Sequence, residues 1–239
     1  MWLWACFRYF YALVQCVEYF FRDPSNGGRV RYPDNEDEDD PPLAVLIHGL
    51  MGSPSELQPL VDAVPANYSV LCPWVRNRGN CPLRDAVDCL MPSICQYIKD
   101  HPNAPVVLIG YSNGGRVAAQ IAILLRERGH AVKLITVCTP FLGTPWFEWD
   151  ICCTLMRLRG YLREVINELR PGSRVNRDLV YELMDGSLTS QNVFFVARHD
   201  FKVPGRYDDT PLAKYTRVLE HDGHLSTVHA VAPLLSDLL

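Results

Sequence analysis

From Leu43 to the C-terminus, short runs rich in Val, Ile and Leu alternate with longer amphipathic stretches, and this rhythm constrains the fold more than any other feature. Repeated βαβ units in a mostly parallel sheet produce such a pattern. Strands are expected near residues 43–47, 68–72, 106–109, 132–137, 193–197 and 215–219, and helices near 55–63, 83–99, 113–128, 161–169, 174–184 and 225–239. The class is therefore α/β, with a mostly parallel sheet of about six strands, helices on both faces and no internal repeat.

The segments before Leu43 read differently. Residues 1–22 are apolar except at Arg8, Gln15, Glu18 and Arg22, which fall on one narrow stripe of a helix. No cationic n-region or small-residue cleavage site marks a signal peptide, so retention of this stretch is expected. Its wide apolar face needs a partner: a membrane surface, or alternatively the protein's own core or a second subunit. Residues 23–42, acidic from Asp34 to Asp40 and closed by Pro41-Pro42, read as a solvated linker. A single domain, 43–239, is left for the chemistry, a size one core can support.

Charge and cysteines narrow the functions. A net charge of −4 and pI near 6 supply no basic footprint for nucleic acid. Nine cysteines, an odd number without paired C-x-x-C spacing, look like small apolar filling in a reducing, intracellular compartment. No metal-ligand cluster and no cofactor motif stands out, so hydrolysis here would rely on a side-chain nucleophile.

That nucleophile is expected at Ser112. Gly110-Tyr111-Ser112-Asn113-Gly114 is a G-x-S-x-G segment between an apolar strand and a helical run. A tight strand-to-helix turn pushes the hydroxyl out of the sheet edge, and the glycines let the neighbouring backbones approach. The next helix turns its positive N-terminal end toward the site, where negative charge would build up during attack.

With these residues the chain resembles the α/β-hydrolase superfamily, and within it the small lipases and carboxylesterases, from about Leu43 onward. Leu43 to Gly52 look like the family's strand ending in His48-Gly49. The resemblance implies that the next residue, Leu50, supplies an oxyanion-hole N–H, with Met51 as the alternative. Asn113, just after the nucleophile, supplies the second donor and an optional polar contact to substrate. His48 is implied to organise the loop and not to move protons. Larger members carry two antiparallel strands before this point, a space held here by the acidic linker, so a shortened sheet is expected.

A neutral serine needs a base, and the base a partner that fixes its tautomer. Seven histidines compete. Asp222-Gly223-His224 precedes the final helix, where the family carries its base, so the resemblance implies His224 in preference to His221. Val193 to Ala197 followed by Asp200 and Val203-Pro204 looks like the family's penultimate strand and acid turn, implying Asp200 over Asp185, Asp208, Asp209 or Asp222. His199 stands where a small residue is usual. An insertion between the expected strands 132–137 and 193–197 begins Thr139-Pro140-Phe141-Leu142-Gly143-Thr144 and is rich in aromatics, and a helical cap over Ser112 at about 141–190 is expected from it. The resulting expectation is a serine esterase acting on a small-molecule or lipid ester with an apolar acyl group, membrane-associated through residues 1–22. An acyltransferase or thioesterase, and a silent binding protein on this fold, are the alternatives.

Overall fold

The computed structural model describes residues 29–32, 40–187, 192–200, 202–203, 210–220 and 223–239. The apolar stretch 1–22 and most of the acidic run lie outside these, as do His221, Asp222, Asp208 and Asp209.

Seven strands form one sheet: β1 Arg29–Arg31, β2 Leu43–Ile47, β3 Ser69–Cys72, β4 Val106–Tyr111, β5 Val132–Val137, β6 Val193–Ala197 and β7 Thr216–Leu219. Their order is β1-β3-β2-β4-β5-β6-β7, and every pairing is parallel except β1 with β3. The six expected strands are present within two residues at each end. The seventh, β1, is a short antiparallel edge strand inside the stretch 23–42 read as a linker, added to the expected sheet. Arg-Val-Arg is too short and too charged to show a strand period, and the strand is recognisable only from its pairing. Its Arg31 is also pinned by donating to the carbonyls of Val64 and Pro65 at 3.0 and 2.9 Å.

Each central strand is buried on both sides. In β2, Leu43, Val45 and Ile47 join one core cluster, while Ala44 and Leu46 join the other. This is the two-residue period of a strand covered above and below. The first cluster is closed by α2 (Leu83–Asp100) and α3 (Asn113–Glu127), the second by α1 (Gln58–Ala63) and α7 (Ser226–Leu235).

Between β5 and β6 the chain forms α4 (Asp150–Leu158), α5 (Arg163–Glu168) and α6 (Arg174–Glu182). The first of these was not legible as a helix. Phe147, Cys153, Val165, Ile166 and Leu169 give the insertion a small core of its own, against which Leu50 packs. Asn80 fastens it to the main body: its amide donates to the Gly160 carbonyl at 2.8 Å and accepts from the Leu162 N–H at 3.0 Å.

Candidate active site

Ser112 follows β4 directly and caps α3 with φ 53° and ψ −128°. An L-residue holds such a conformation only when its surroundings over-determine it. Here the Ser112 N–H donates to the Val137 carbonyl at 2.8 Å and its carbonyl accepts from Gly115 at 3.0 Å. The turn is possible because the chain passes so close to its neighbours that a Cβ on Gly110 would lie 2.4 Å from the Gly115 Cα.

His224 sits on the turn before α7. The Gly223 carbonyl accepts from the hydroxyls of Ser226 at 3.1 Å and Thr227 at 2.9 Å, which ties the turn to the helix it precedes. The imidazole is 6% exposed and packs on the Tyr111 ring at 5.1 Å. Its Nε2 lies 2.7 Å from Ser112 Oγ and its Nδ1 2.5 Å from Asp200 Oδ2. With the proton on Nδ1 donated to the carboxylate, Nε2 is left as an acceptor for the serine hydroxyl.

Asp200, 3% exposed, holds its other oxygen against the N–H groups of Lys202 at 2.8 Å and Val203 at 3.1 Å. Burial pushes this carboxyl's pKa up, but the neighbouring His224, the hydrogen bond to it and the two backbone donors outweigh that and hold it below the usual aspartate value. The three residues expected from the sequence thus meet in one chain of contacts, Ser112 to His224 to Asp200. The buried Cys138 thiol lies within the same group of polar atoms. Its pKa is raised, first by burial and then by Asp200, which favours the neutral, poorly nucleophilic thiol.

Leu50 and Asn113 both line the cavity that opens at Ser112. The Gly52 N–H donates to the Gly49 carbonyl at 3.1 Å, with Met51 left-handed at φ 57°, so the His-Gly loop folds back over the serine. A Cβ on Gly49 would lie 2.9 Å from the Ser112 Cβ, so the loop and the elbow are in contact. Asn113 opens α3, where the first N–H groups have no helical partner. Its side-chain Oδ1 accepts from Arg116 at 2.8 Å, which fixes the orientation of the amide.

Arg116 is a residue of the site that the sequence alone does not reveal. It is 1% exposed, and its Nη2 lies 3.7 Å from Glu168 of α5. Glu168 in turn accepts from the Leu83 N–H at 3.0 Å. Burial brings the Arg116 pKa down to about 10, still far above neutrality, so a buried cation links the elbow to the insertion. The three-residue spacing from Asn113, one helical turn, was the available signal.

His48 performs the role implied for it. Its Nε2 accepts from the Val75 N–H at 3.1 Å, so Nδ1 carries the proton and donates to the Gly49 carbonyl at 2.9 Å. Burial lowers its pKa to about 4. The unfolded chain therefore takes up a proton between about pH 6.5 and 4 that the folded chain refuses, and stability falls as pH falls through that window. The expected loss is at most about 3 kcal/mol, fully regained above the unfolded histidine value. Chemical denaturation at pH 7, 5.5 and 4.5 reads this slope, which His48→Gln should flatten while lowering stability at pH 7.

The cavity measures about 170 Å³. Trp146, Phe147, Met156, Tyr161 and Leu169 of the insertion line it together with Ser112.

The comparisons with known proteins agree with this architecture. The thioesterase-domain family profile matches residues 42–139. The chain is similar to a diacylglycerol lipase, described as sn-1-specific diacylglycerol lipase ABHD11, of Xenopus tropicalis, 36% identical over 115 residues, 45% of this chain and 36% of that protein. It is also similar to the pimeloyl-[acyl-carrier protein] methyl ester esterase of Aeromonas salmonicida, 31% identical over 108 residues, 45% of this chain and 42% of that protein. The matches thus span less than half the length of these relatives. Among solved structures, a metagenome-derived lipolytic enzyme from the LipS and LipT work superposes with TM-score 0.65 at 12% identity, covering 90% of this chain and 95% of the other. Bacillus licheniformis lipase BlEst2 in its mature form gives 0.60 at 16% identity, covering 91% and 99%. At such identities the structures speak for the fold alone. The chain thus has the α/β-hydrolase fold and is similar, over part of its length, to lipases and esterases that share it.

Proposed function

We propose that this protein is a serine hydrolase that cleaves carboxylic esters of apolar acyl groups through an acyl-serine intermediate. The observation that carries the reading is the contact chain from Ser112 Oγ through His224 to Asp200, opening into a pocket walled mainly by apolar side chains. Ser112 Oγ attacks the acyl carbon as His224 Nε2 takes its proton, and Asp200 stabilises the imidazolium that forms. The N–H groups of Leu50 and Asn113 receive the oxyanion. His224 then returns the proton to the leaving group, and a water activated by the same imidazole releases the acid.

Attack by an alcohol in place of water would make the enzyme a transferase, and a sulfur leaving group would make it a thioesterase. The thioesterase-domain match favours keeping the latter as the second reading. A silent binding role is disfavoured because no member of the contact chain is missing. Residues 43–239 form the hydrolase unit in this reading, with 141–190 as its cap. Apolar residues 1–22 associate it with a membrane surface, and an apolar stripe on α4, Ile151, Leu155 and Leu158, is exposed on the cap as well. Among the described residues no helix is long and apolar enough to cross a membrane.

Hydrolysis of p-nitrophenyl esters from acetate to laurate, with and without added glycerol, tests the assignment. Release of p-nitrophenol that rises with acyl length, with free acid as product, supports the apolar-ester reading. A profile that falls steadily from acetate contradicts it, and glyceryl esters as the main product move the protein to the transferases.

A further inference from the structure

The wall of the pocket is one-sided in charge. Among the described residues, Arg78, Arg159 and Lys202 line it and no carboxylate does, in a chain with 27 acidic against 23 basic residues. Arg78 is the most telling of the three. It lies in the short turn Arg76–Gly79, where Asn77 (φ 49°, ψ 37°) and Arg78 (φ 57°, ψ 36°) are both left-handed. For residues other than glycine this costs on the order of 1 kcal/mol each. Such strain is kept where the surroundings fix a side chain in a required place.

The place is the oxyanion loop. Arg78 Nη2 donates to the Met51 carbonyl at 2.7 Å and Nε to the Gly52 carbonyl at 3.3 Å. Both acceptors are neutral, and none of the ion pairs among the described residues includes Arg78. Its charge is felt at buried His48, where it disfavours the protonated form. A guanidinium that is half-buried beside an apolar cavity, with carbonyls but no carboxylate as partners, is matched best by an anion that arrives with the ligand.

We propose that the substrate carries an anionic group, a carboxylate or a phosphate, seated against Arg78 in the pocket that Arg159 and Lys202 also line, while its apolar chain lies along Trp146, Phe147 and Met156. This specificity rests on the reading of Ser112 as the nucleophile. The anion belongs either to the acyl part or to the leaving group, and the two sources are separable by substrate.

The test uses matched pairs on the full chain. Mono-p-nitrophenyl adipate against p-nitrophenyl hexanoate places the charge on the acyl side; octanoyl glycerol phosphate against octanoyl glycerol places it on the leaving group. Wild type is expected to prefer the anionic member of one pair by roughly tenfold or more in kcat/KM, as a charge-assisted contact provides. The preference should shrink to near unity in Arg78→Met and weaken in Lys202→Met and Arg159→Gln, and Arg78→Lys should restore part of it. A purely structural Arg78 would lower both members of a pair alike and leave the ratio unchanged. Binding of octyl phosphate against octanol to Ser112→Ala protein reads the same site without catalysis. Equal turnover within both pairs, together with octyl phosphate binding no tighter than octanol, would overturn the proposal. Tight, Arg78-dependent binding of octyl phosphate with no hydrolysis of any ester would keep the anion site and instead remove the hydrolase reading.

Discussion

Ser112→Ala is expected to lower ester hydrolysis by about a thousandfold or more while leaving the fold and ligand binding nearly unchanged. The hydroxyl is the only atom lost, and its hydrogen bond to His224 Nε2, 2.7 Å in length, is replaced by water in the open pocket. Alanine accepts the local backbone less willingly than it would a helix, since φ is 53° at this position, but serine bears the same strain. The residual rate would come from the oxyanion donors and from substrate positioning. Steady-state rates with p-nitrophenyl butyrate, alongside melting temperatures for both proteins, check the two halves of the expectation. A variant that keeps more than a tenth of the activity would place the nucleophile elsewhere.

Gly114→Ala is expected to damage the fold itself. An added Cβ would lie 2.2 Å from the Ile47 carbonyl oxygen and 2.5 Å from that of His48. Neither can swing aside, because both are backbone atoms: Ile47 ends β2, paired in register with Gly110 of β4, and His48 follows it directly. Relief requires α3 to move off the sheet, which opens the core beneath Val117, Ala118 and Ile121. Overpacking against a flexible side chain costs about 1–3 kcal/mol. Against fixed backbone, a loss of at least about 3 kcal/mol is expected, or a fall in Tm of roughly 6–12 °C for a chain of this size. Thermal unfolding followed by circular dichroism gives the number. An unchanged Tm would mean that α3 does not pack on β2 as described.

These expectations depend on features of unequal legibility. The strands of the central sheet are apolar at consecutive positions because both faces are covered, so Leu43–Ile47 and Val193–Ala197 announce themselves at their observed bounds. β1 does not, since two of its three residues are arginines and only its antiparallel pairing with β3 makes it a strand. Helix α4 was hidden for a related reason. It spans only nine residues, so the spacing of Ile151, Leu155 and Leu158 covers barely two turns, and the aromatics just before it read as irregular cap. Within the site, Ser112 was legible from local chemistry, since a G-x-S-x-G between strand and helix has few other uses. His224 and Asp200 were reached through family resemblance and chain order, because contacts spanning 112 and 24 residues leave no local periodicity. Arg78 and Arg116 were not reached. Each is an arginine whose meaning lies in partners distant in sequence, the Met51 and Gly52 carbonyls for one and Glu168 for the other.

A serine hydrolase of this kind must form a covalent intermediate at Ser112. The direct measurement is intact-protein and peptide mass spectrometry after brief exposure to a fluorophosphonate, which reacts with an activated serine and mimics the tetrahedral oxyanion. One phosphonyl group per chain, located on Ser112 and absent from the His224→Ala protein, is the predicted result. No adduct at Ser112, or an adduct that forms equally fast without His224, would contradict it.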